Sequence, residues 1–366
     1  MKVVLTGAAG FLGWHTRLRA HALGEHDVVP VSRKTWSDLP SLVAGADAVI
    51  HVAGVNRGTD EEVEQGNIDL ANDVASAVRA VNRPVRVVYA NSIQDGNGTP
   101  YGTGKATAGS TLSSLRAQGH SVVDVRLPNI FGEHGRPRYN SFVATFVHAV
   151  AAGESPEVTD RPVELLHVQD AAQAMLDGLT TDSERLDPRG TRVGVQEVLD
   201  LLHEFEASYS TGEFPDLSTP FRIALFNTYR AAIFPQRYPI TLTPHADARG
   251  TFVETVRSRG GEGQSSISTT VPGITRGEHY HLSKIERFAV VQGTATIALR
   301  RMFHDEVVEF AVSGDAPCAV DMPVGWAHNI TNTGDDVLLT QFWSHELFRP
   351  DAPDTFPHPV IQEAGA

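Results

Sequence analysis

Cysteine is nearly absent: the 366-residue chain holds one, Cys318. A single thiol makes no internal disulfide, which excludes a disulfide-stapled scaffold and suits a reducing compartment. Basic residues are in the minority, 30 Lys and Arg against 44 Asp and Glu, for a formal net charge of −14. Such a surface repels phosphate backbones, so nucleic acid is not an expected partner, although a local basic pocket is compatible with that charge. No apolar run reaches the roughly 18 residues a membrane helix needs, so no membrane partner is expected either. The opening Met1-Lys2-Val3-Val4-Leu5-Thr6-Gly7 runs into a glycine turn without a signal-peptide pattern. The expectation is a soluble cytoplasmic protein.

What is present is ample. Hydrophobic residues make up 41% of the chain and charged ones 20%, enough for sizeable cores. At about 150 residues per domain the length suggests two domains. Up to about residue 180, short β-branched runs (3–5, 28–31, 48–52, 85–89, 122–126) alternate with helical stretches near 12–23, 67–81 and 104–118. Strands alternating with helices imply a parallel, doubly wound α/β sheet covered on both faces. Helical patterns follow at 196–209 and 220–234. From about 238 the texture changes to short strands such as 267–271, 288–291, 294–299 and 337–342, separated by Gly, Pro, Asn and Asp. That pattern predicts an all-β sandwich or barrel. The expected domains are 1–240 and 241–366.

Thr6-Gly7-Ala8-Ala9-Gly10-Phe11-Leu12-Gly13 follows the first strand and opens a helix. Gly7 permits a tight turn, Gly10 lets backbone approach a pyrophosphate, and Gly13 allows the helix to pack closely on the strand. Phe11 and Leu12 begin the helix whose amides and dipole favour phosphate. Dinucleotide folds for NAD place an acid about 20 residues on, to bind ribose hydroxyls. Here the second strand ends in Ser32-Arg33-Lys34, where Arg33 can grip a 2′-phosphate with two hydrogen bonds. The expected cofactor is therefore NADP(H).

Tyr101 and Lys105 are four residues apart, so on a helix they share a face. A neighbouring ammonium would lower the phenol pKa from about 10 and tune it as an acid or base. With Gly7, Gly10, Gly13 and the segment Asp47-Ala48-Val49-Ile50-His51-Val52-Ala53-Gly54, the pattern resembles the extended short-chain dehydrogenase/reductase family. The resemblance implies that Tyr101 donates a proton to a carbonyl while hydride arrives from the nicotinamide. Lys105 would bind the nicotinamide ribose, Asp47 would lie by the adenine, and Ala53 and Gly54 by the cofactor. Ser92 would orient the carbonyl, though it stands only nine residues before Tyr101, a shorter gap than the family's usual one.

Gly277-Glu278-His279-Tyr280-His281 precedes Glu286, and Pro323-Val324-Gly325-Trp326-Ala327-His328 comes later. Alternate residues of a strand share a face, so His279 and His281 can point together, with Glu286 and His328 arriving from neighbouring strands. Imidazoles and a carboxylate around one point suit a divalent metal, Zn²⁺ foremost and then Mn²⁺, Fe²⁺ or Ni²⁺. The spacings resemble both signature motifs of the cupin family, small jelly-roll barrels that often bind a metal. The run 273–280 also resembles the segment that carries the catalytic His of deoxysugar 3,5-epimerases. His279 is thus a base, a ligand, or a base beside His281 as ligand.

A reductase-type domain and a cupin on one chain resemble the CapF-like bifunctional enzymes of capsular and O-antigen sugar biosynthesis. The resemblance runs through 51–57, 126–132, 139–141, 247–252, 275–281, 313–315 and 328–332. It implies a UDP-linked 4-keto-6-deoxy-N-acetylhexosamine as substrate. The cupin would epimerise carbon 3, and the reductase domain would reduce the carbon 4 ketone to give a UDP-N-acetyl-6-deoxy-L-talosamine. Asn129, Tyr139 and Asn140 would be nucleotide-sugar contacts, Arg161 could pair with the UDP phosphates, and a homodimer would form through the cupin. Asn91-Ser92-Ile93-Gln94, in place of a more serine-rich stretch, and Gly102 and Gly104 depart from the family pattern, which leaves a different sugar open. Two rival readings are a monofunctional reductase or 4-epimerase whose cupin serves dimerisation, and a non-enzymatic dinucleotide or ligand sensor.

Overall fold

A computed structural model describes residues 1–361. The β-branched runs of the first half become strands wherever both their faces can be covered. β1 (Lys2–Thr6), α1 (Phe11–Leu23), β2 (Asp27–Val31), α2 (Leu39–Ala44), β3 (Ala48–His51), α3 (Asp60–Arg79), β4 (Arg86–Ser92), α4 (Pro100–Ser113) and β5 (Ser121–Leu127) follow in turn. Then come β6 (Asn129–Phe131), α5 (Phe142–Ala151), β7 (Pro162–His167), α6 (Val168–Asp177), β8 (Arg185–Leu186) and β9 (Thr191–Gly194). The main sheet has the order β2-β1-β3-β4-β5-β8 and is parallel throughout, with β6-β7-β9 as a separate small sheet. Side chains alternate across it. Val3 and Leu5 pack with Leu12, Ala171 and Met175 on one face, while Val4 packs with Val74, Val78 and Leu112 on the other. β1 lies between β2 and β3, so the loops leaving β1 and β3 open a crevice at the carboxyl edge, where open α/β sheets bind ligands.

The second half continues with α7 (Val195–Tyr209), β10 (Phe214–Asp216) and α8 (Pro220–Ile233). Its strands are β11 (Ile240–Thr241), β12 (Pro244–Asp247), β13 (Gly250–Val253), β14 (Ser258–Gly260), β15 (Gln264–Thr270), β16 (Thr275–Tyr280) and β17 (Glu286–Gln292). They continue as β18 (Thr294–Arg301), β19 (Val307–Ser313), β20 (Cys318–Met322), β21 (Trp326–Asn332), β22 (Leu338–Ser344) and β23 (Phe356–Pro357). Two five-stranded antiparallel sheets result, β11-β20-β17-β22-β15 and β19-β18-β21-β16-β23. Phe288 of one and His328 of the other meet edge to face at 5.7 Å, so the sheets bury their inner faces against each other.

The chain divides into two compact units. One comprises Met1–Thr145 and Thr159–Val195, the other Phe146–Val158 and the described chain from Gln196. The boundary expected near 240 therefore falls inside the second unit. The reason is buried polar bonding that a change of sequence texture does not display. Arg287 pairs with Asp321 through two bonds of 2.7 and 2.8 Å, and its guanidinium carbon stands 4.2 Å from the Phe214 ring centre. Tyr209 of α7 donates to the same Asp321. From α8, Asn227 donates to the Ser283 carbonyl (2.7 Å) and Arg230 to the Met322 carbonyl. Both helices thus belong with the antiparallel sheets. Among the described residues no helix is long and apolar enough to cross a membrane.

Candidate active site

The glycine turn is built for an anion. A Cβ on Gly7, whose φ is +69°, would meet the Ala53 backbone at 2.8 Å, and one on Gly13 would meet the Gly7 carbonyl at 2.1 Å. Gly10 caps α1 with no side-chain hydrogen bond, so the first amides of the helix, beginning at Phe11, are left to a ligand. Leu12 instead turns into the core. The donor set and the space that only glycine leaves both fit a dinucleotide pyrophosphate. Ser32 ends β2 on the same edge, where Ala8 donates to the Val31 carbonyl (3.3 Å), and Arg33 and Lys34 follow it as exposed residues.

Tyr101, Ser92 and Lys105 come together at the carboxyl end of β4. α4 starts at Pro100 because Thr99 caps it, accepting from the Gly102 amide at 3.0 Å. Lys105 is buried, donates to the Ala90 carbonyl (2.8 Å) and lies 4.7 Å from the Tyr89 ring centre and 5.9 Å from that of Tyr101. Burial pushes its ammonium down to about 8 against the opposing pull of Asp124 and Asp95. Burial raises the Tyr101 phenol, and the Ser92 hydroxyl opposes that rise. The expected lowering by Lys105 is therefore corrected: desolvation dominates, and the group that favours phenolate is Ser92.

Three further residues shape this pocket. His51 is buried, shares a 2.8 Å bond with Thr6 and stacks on Tyr89 at 5.6 Å. Burial, and then the Lys105 charge, lowers its pKa to about 3, so it is neutral. Asn67 of α3 donates to the Val55 carbonyl (2.7 Å) and accepts from the Val55 amide (3.3 Å). It thereby fixes the loop carrying Ala53 and Gly54, and its Oδ1 lies 3.1 Å from where a Gly54 Cβ would stand. The signal for Thr6 and His51 is the β1–β3 register, which makes them direct neighbours.

Asp47 does not join the cofactor edge. It precedes β3, accepts from the Lys2 amide (2.8 Å) and sits at the amino end of the sheet. The strand length that separates it from the glycine turn is about 13 Å, so the expected adenine contact is corrected. Tyr139 and Asn140 lie in the loop between β6 and α5. The Tyr139 carbonyl accepts from Arg57 (2.7 Å), and Asn140 is exposed. Asn129, on β6, donates to the Glu164 carbonyl (3.3 Å). Arg161 precedes β7, whose far end at His167 pairs with Phe131, the last residue before that loop. About 20 Å of strand rise separates Arg161 from that pairing.

In the second unit, His279, His281, Glu286 and His328 place one donor atom each within 4.8 Å of one another. Glu286 Oε2 is 3.2 Å from His281 Nε2, 3.3 Å from His328 Nε2 and 3.7 Å from His279 Nε2. His281 Nδ1 donates to the Asp354 carbonyl (2.5 Å) and His328 Nδ1 to the Trp326 carbonyl (3.0 Å). A carbonyl only accepts, so both Nε2 atoms present lone pairs to the centre, as metal-binding imidazoles do. The buried His328 Nε2 makes no well-directed hydrogen bond. This donor set fits a divalent metal. Asp354, which the sequence reading missed for want of any local motif, also accepts from the Leu282, Ser283 and Lys284 amides (2.9, 2.9 and 2.7 Å). Beside the cluster opens a cavity of about 250 Å³, lined by His279, Glu286, Lys284, Trp343 and Phe348 among others.

Residues 3–194 match the NAD dependent epimerase/dehydratase family, more than half of the chain. The chain belongs to that family. Membership of that family implies a nicotinamide cofactor. Residues 245–356 match the Polysaccharide biosynthesis C-terminal domain. A UDP-2-acetamido-2,6-beta-L-arabino-hexul-4-ose reductase of Pseudomonas aeruginosa is 34% identical over 97% of this chain and 98% of its own. The crystal structure of the capsular polysaccharide assembling protein CapF from Staphylococcus aureus aligns with a TM-score of 0.62 at 32% identity, covering 98% of this chain and 100% of that one. The spore coat polysaccharide biosynthesis protein SpsL of Bacillus subtilis is 29% identical over 31% of this chain and 81% of its own length.

Proposed function

We propose that the chain is a bifunctional nucleotide-sugar enzyme of the CapF type, acting in the cytoplasm. On a UDP-linked 4-keto-6-deoxy-N-acetylhexosamine, the second unit, a cupin, epimerises carbon 3. The first unit reduces the carbon 4 ketone with NADPH to a UDP-N-acetyl-6-deoxy-L-talosamine or a related deoxysugar. The observation that carries this reading is the coincidence, in one chain alike over 97% of its length to a nucleotide-sugar reductase, of the Tyr101–Ser92–Lys105 group with the His–Glu cluster. NADPH is preferred over NADH because Arg33 and Lys34 stand after β2, where an acid would repel a 2′-phosphate.

NADPH, when bound, supplies hydride to carbon 4. Ser92 orients the carbonyl, and Tyr101 holds a proton at its hydroxyl. A phenol raised by burial stays protonated at neutral pH and releases its proton to the much more basic alkoxide. Lys105 holds the nicotinamide ribose from its buried position. In the cupin, the carbon 4 ketone acidifies the hydrogen on carbon 3. A divalent metal, Zn²⁺ foremost, when bound supplies positive charge toward the carbonyl oxygen. His281, Glu286 and His328 hold it. His279, farthest from Glu286 and lining the cavity, takes the carbon 3 proton, and a proton of solvent origin returns to the opposite face of carbon 3. A homodimer formed through this unit completes the reading, and exposed Phe252, Ile267 and Val271 are apolar residues that such an interface would cover.

The test gives the protein NADPH and the keto sugar in D₂O. Deuterium at carbon 3 with NADPH consumed is the expected result. NADPH consumption without deuterium would reduce the protein to a ketone reductase. His279→Ala should keep the metal and lose deuterium uptake, whereas His328→Ala should lose both.

A further inference from the structure

Two arginines near the carboxyl edge of the sheet have no part in the chemistry above. Arg57 follows β3 by six residues, and Arg136 lies in the loop that leaves β6. Arg57 donates from Nε to the Tyr139 carbonyl (2.7 Å), and its guanidinium carbon stands 5.6 Å from the Tyr139 ring centre. The Arg136 guanidinium carbon stands 5.3 Å from the same centre. One phenol ring thus gathers two cations, both exposed. Cation–π attraction offsets part of their mutual repulsion, and a counter-anion would offset the rest. Among the described residues neither arginine pairs with Asp or Glu, in a chain that carries 44 of them. Arg116, Arg126, Arg185, Arg222, Arg237 and Arg257 each do. Arg83 and Arg86 likewise bond backbone carbonyls rather than carboxylates, so what sets this pair apart is the convergence of two exposed guanidiniums on one ring.

We propose that Arg57 and Arg136, set on the Tyr139 ring, form the clamp for the diphosphate of the substrate. This rests on the nucleotide-sugar reading above. Two planar forks can each take two phosphate oxygens, so a diphosphate meets its charge and its geometry in one place.

The experiment uses the full chain and UDP as probe, by titration calorimetry, with uridine and NADPH as companions. The parent binds UDP. Arg57→Gln and Arg136→Gln each weaken UDP by about tenfold, while uridine and NADPH bind as to the parent. Gln at 57 retains an amide donor for the Tyr139 carbonyl, so the loop keeps its tether. Unchanged UDP affinity in both variants would overturn the clamp and leave the nucleotide-sugar reading standing. Equal loss of uridine and UDP would overturn it too, since the arginines would then only support the loop. Loss of NADPH in place of UDP would assign the pair to the cofactor and refute it. A parent that does not bind UDP would overturn the reading and the clamp together.

Discussion

Tyr101 and Lys105 show how one helix turn produces two different electrostatic situations. Lys105 is buried and bonded to Ala90, with its pKa lowered to about 8, while the phenol beside it is raised. Tyr101→Phe removes the proton donor and leaves the packing, so kcat should fall by about 10²–10⁴. NADPH affinity, read by fluorescence titration, should stay as it was. His51 supplies a pH prediction. Its imidazole titrates near 3 when folded and near 6.5 when unfolded, so below 6.5 the unfolded state binds the extra proton. Its contribution to stability is complete above 6.5 and is lost as pH falls toward 3, at up to about 1.4 kcal/mol per pH unit. Denaturant unfolding at pH 7, 6 and 5 should show this slope, and His51→Asn should make it shallower, the buried His328 and His345, lowered to about 4, supplying the rest.

Among the elements, the segment around Asp354 decides how firmly the cluster is held. Its carboxylate takes three consecutive amides of the loop after β16, and its carbonyl fixes the His281 ring. Asp354→Ala leaves all four donors in place yet frees the loop. Competition with a chelator should show metal affinity reduced by about 10–100-fold. Much of this architecture was legible in advance. The strands at 3–5, 28–31 and 85–89 lie within or overlap β1, β2 and β4, because runs of β-branched residues leave a plain signal, whether buried on both faces as in β1 and β4 or at the sheet edge as in β2. Both histidine motifs and the glycine turn were legible for the same reason, since each is local. The start of α3 at Asp60 rather than 67 was missed, although Thr59 and Glu62 form a capping box that announces it. Asp354 and Asn67 act across chain separations or through backbone atoms, and no local pattern encodes that.

For the whole molecule, the decisive fact is which helices belong to which unit. α7 and α8 are amphipathic helices that follow an α/β pattern, and sequence texture assigns them to it. Buried polar groups say otherwise. Asp321, fully buried, binds Arg287 and accepts from Tyr209. Asp321→Ala strands a buried guanidinium and should cost the second unit about 3–5 kcal/mol, read by denaturant unfolding. The same logic predicts that a fragment beginning at residue 241 fails to fold. A fragment from 241 that melts cooperatively would show that the helices are accessory.

The bond between His281 and Asp354 also has a consequence in time. All four donor side chains are synthesised by residue 328, yet the carbonyl that fixes His281 and the carboxylate that closes its loop come 26 residues later. A ribosome paused between those points would display the ligands without their support. On the metal reading proposed above, the cluster would therefore reach its full affinity only after residue 354 has been made, well after its last ligand.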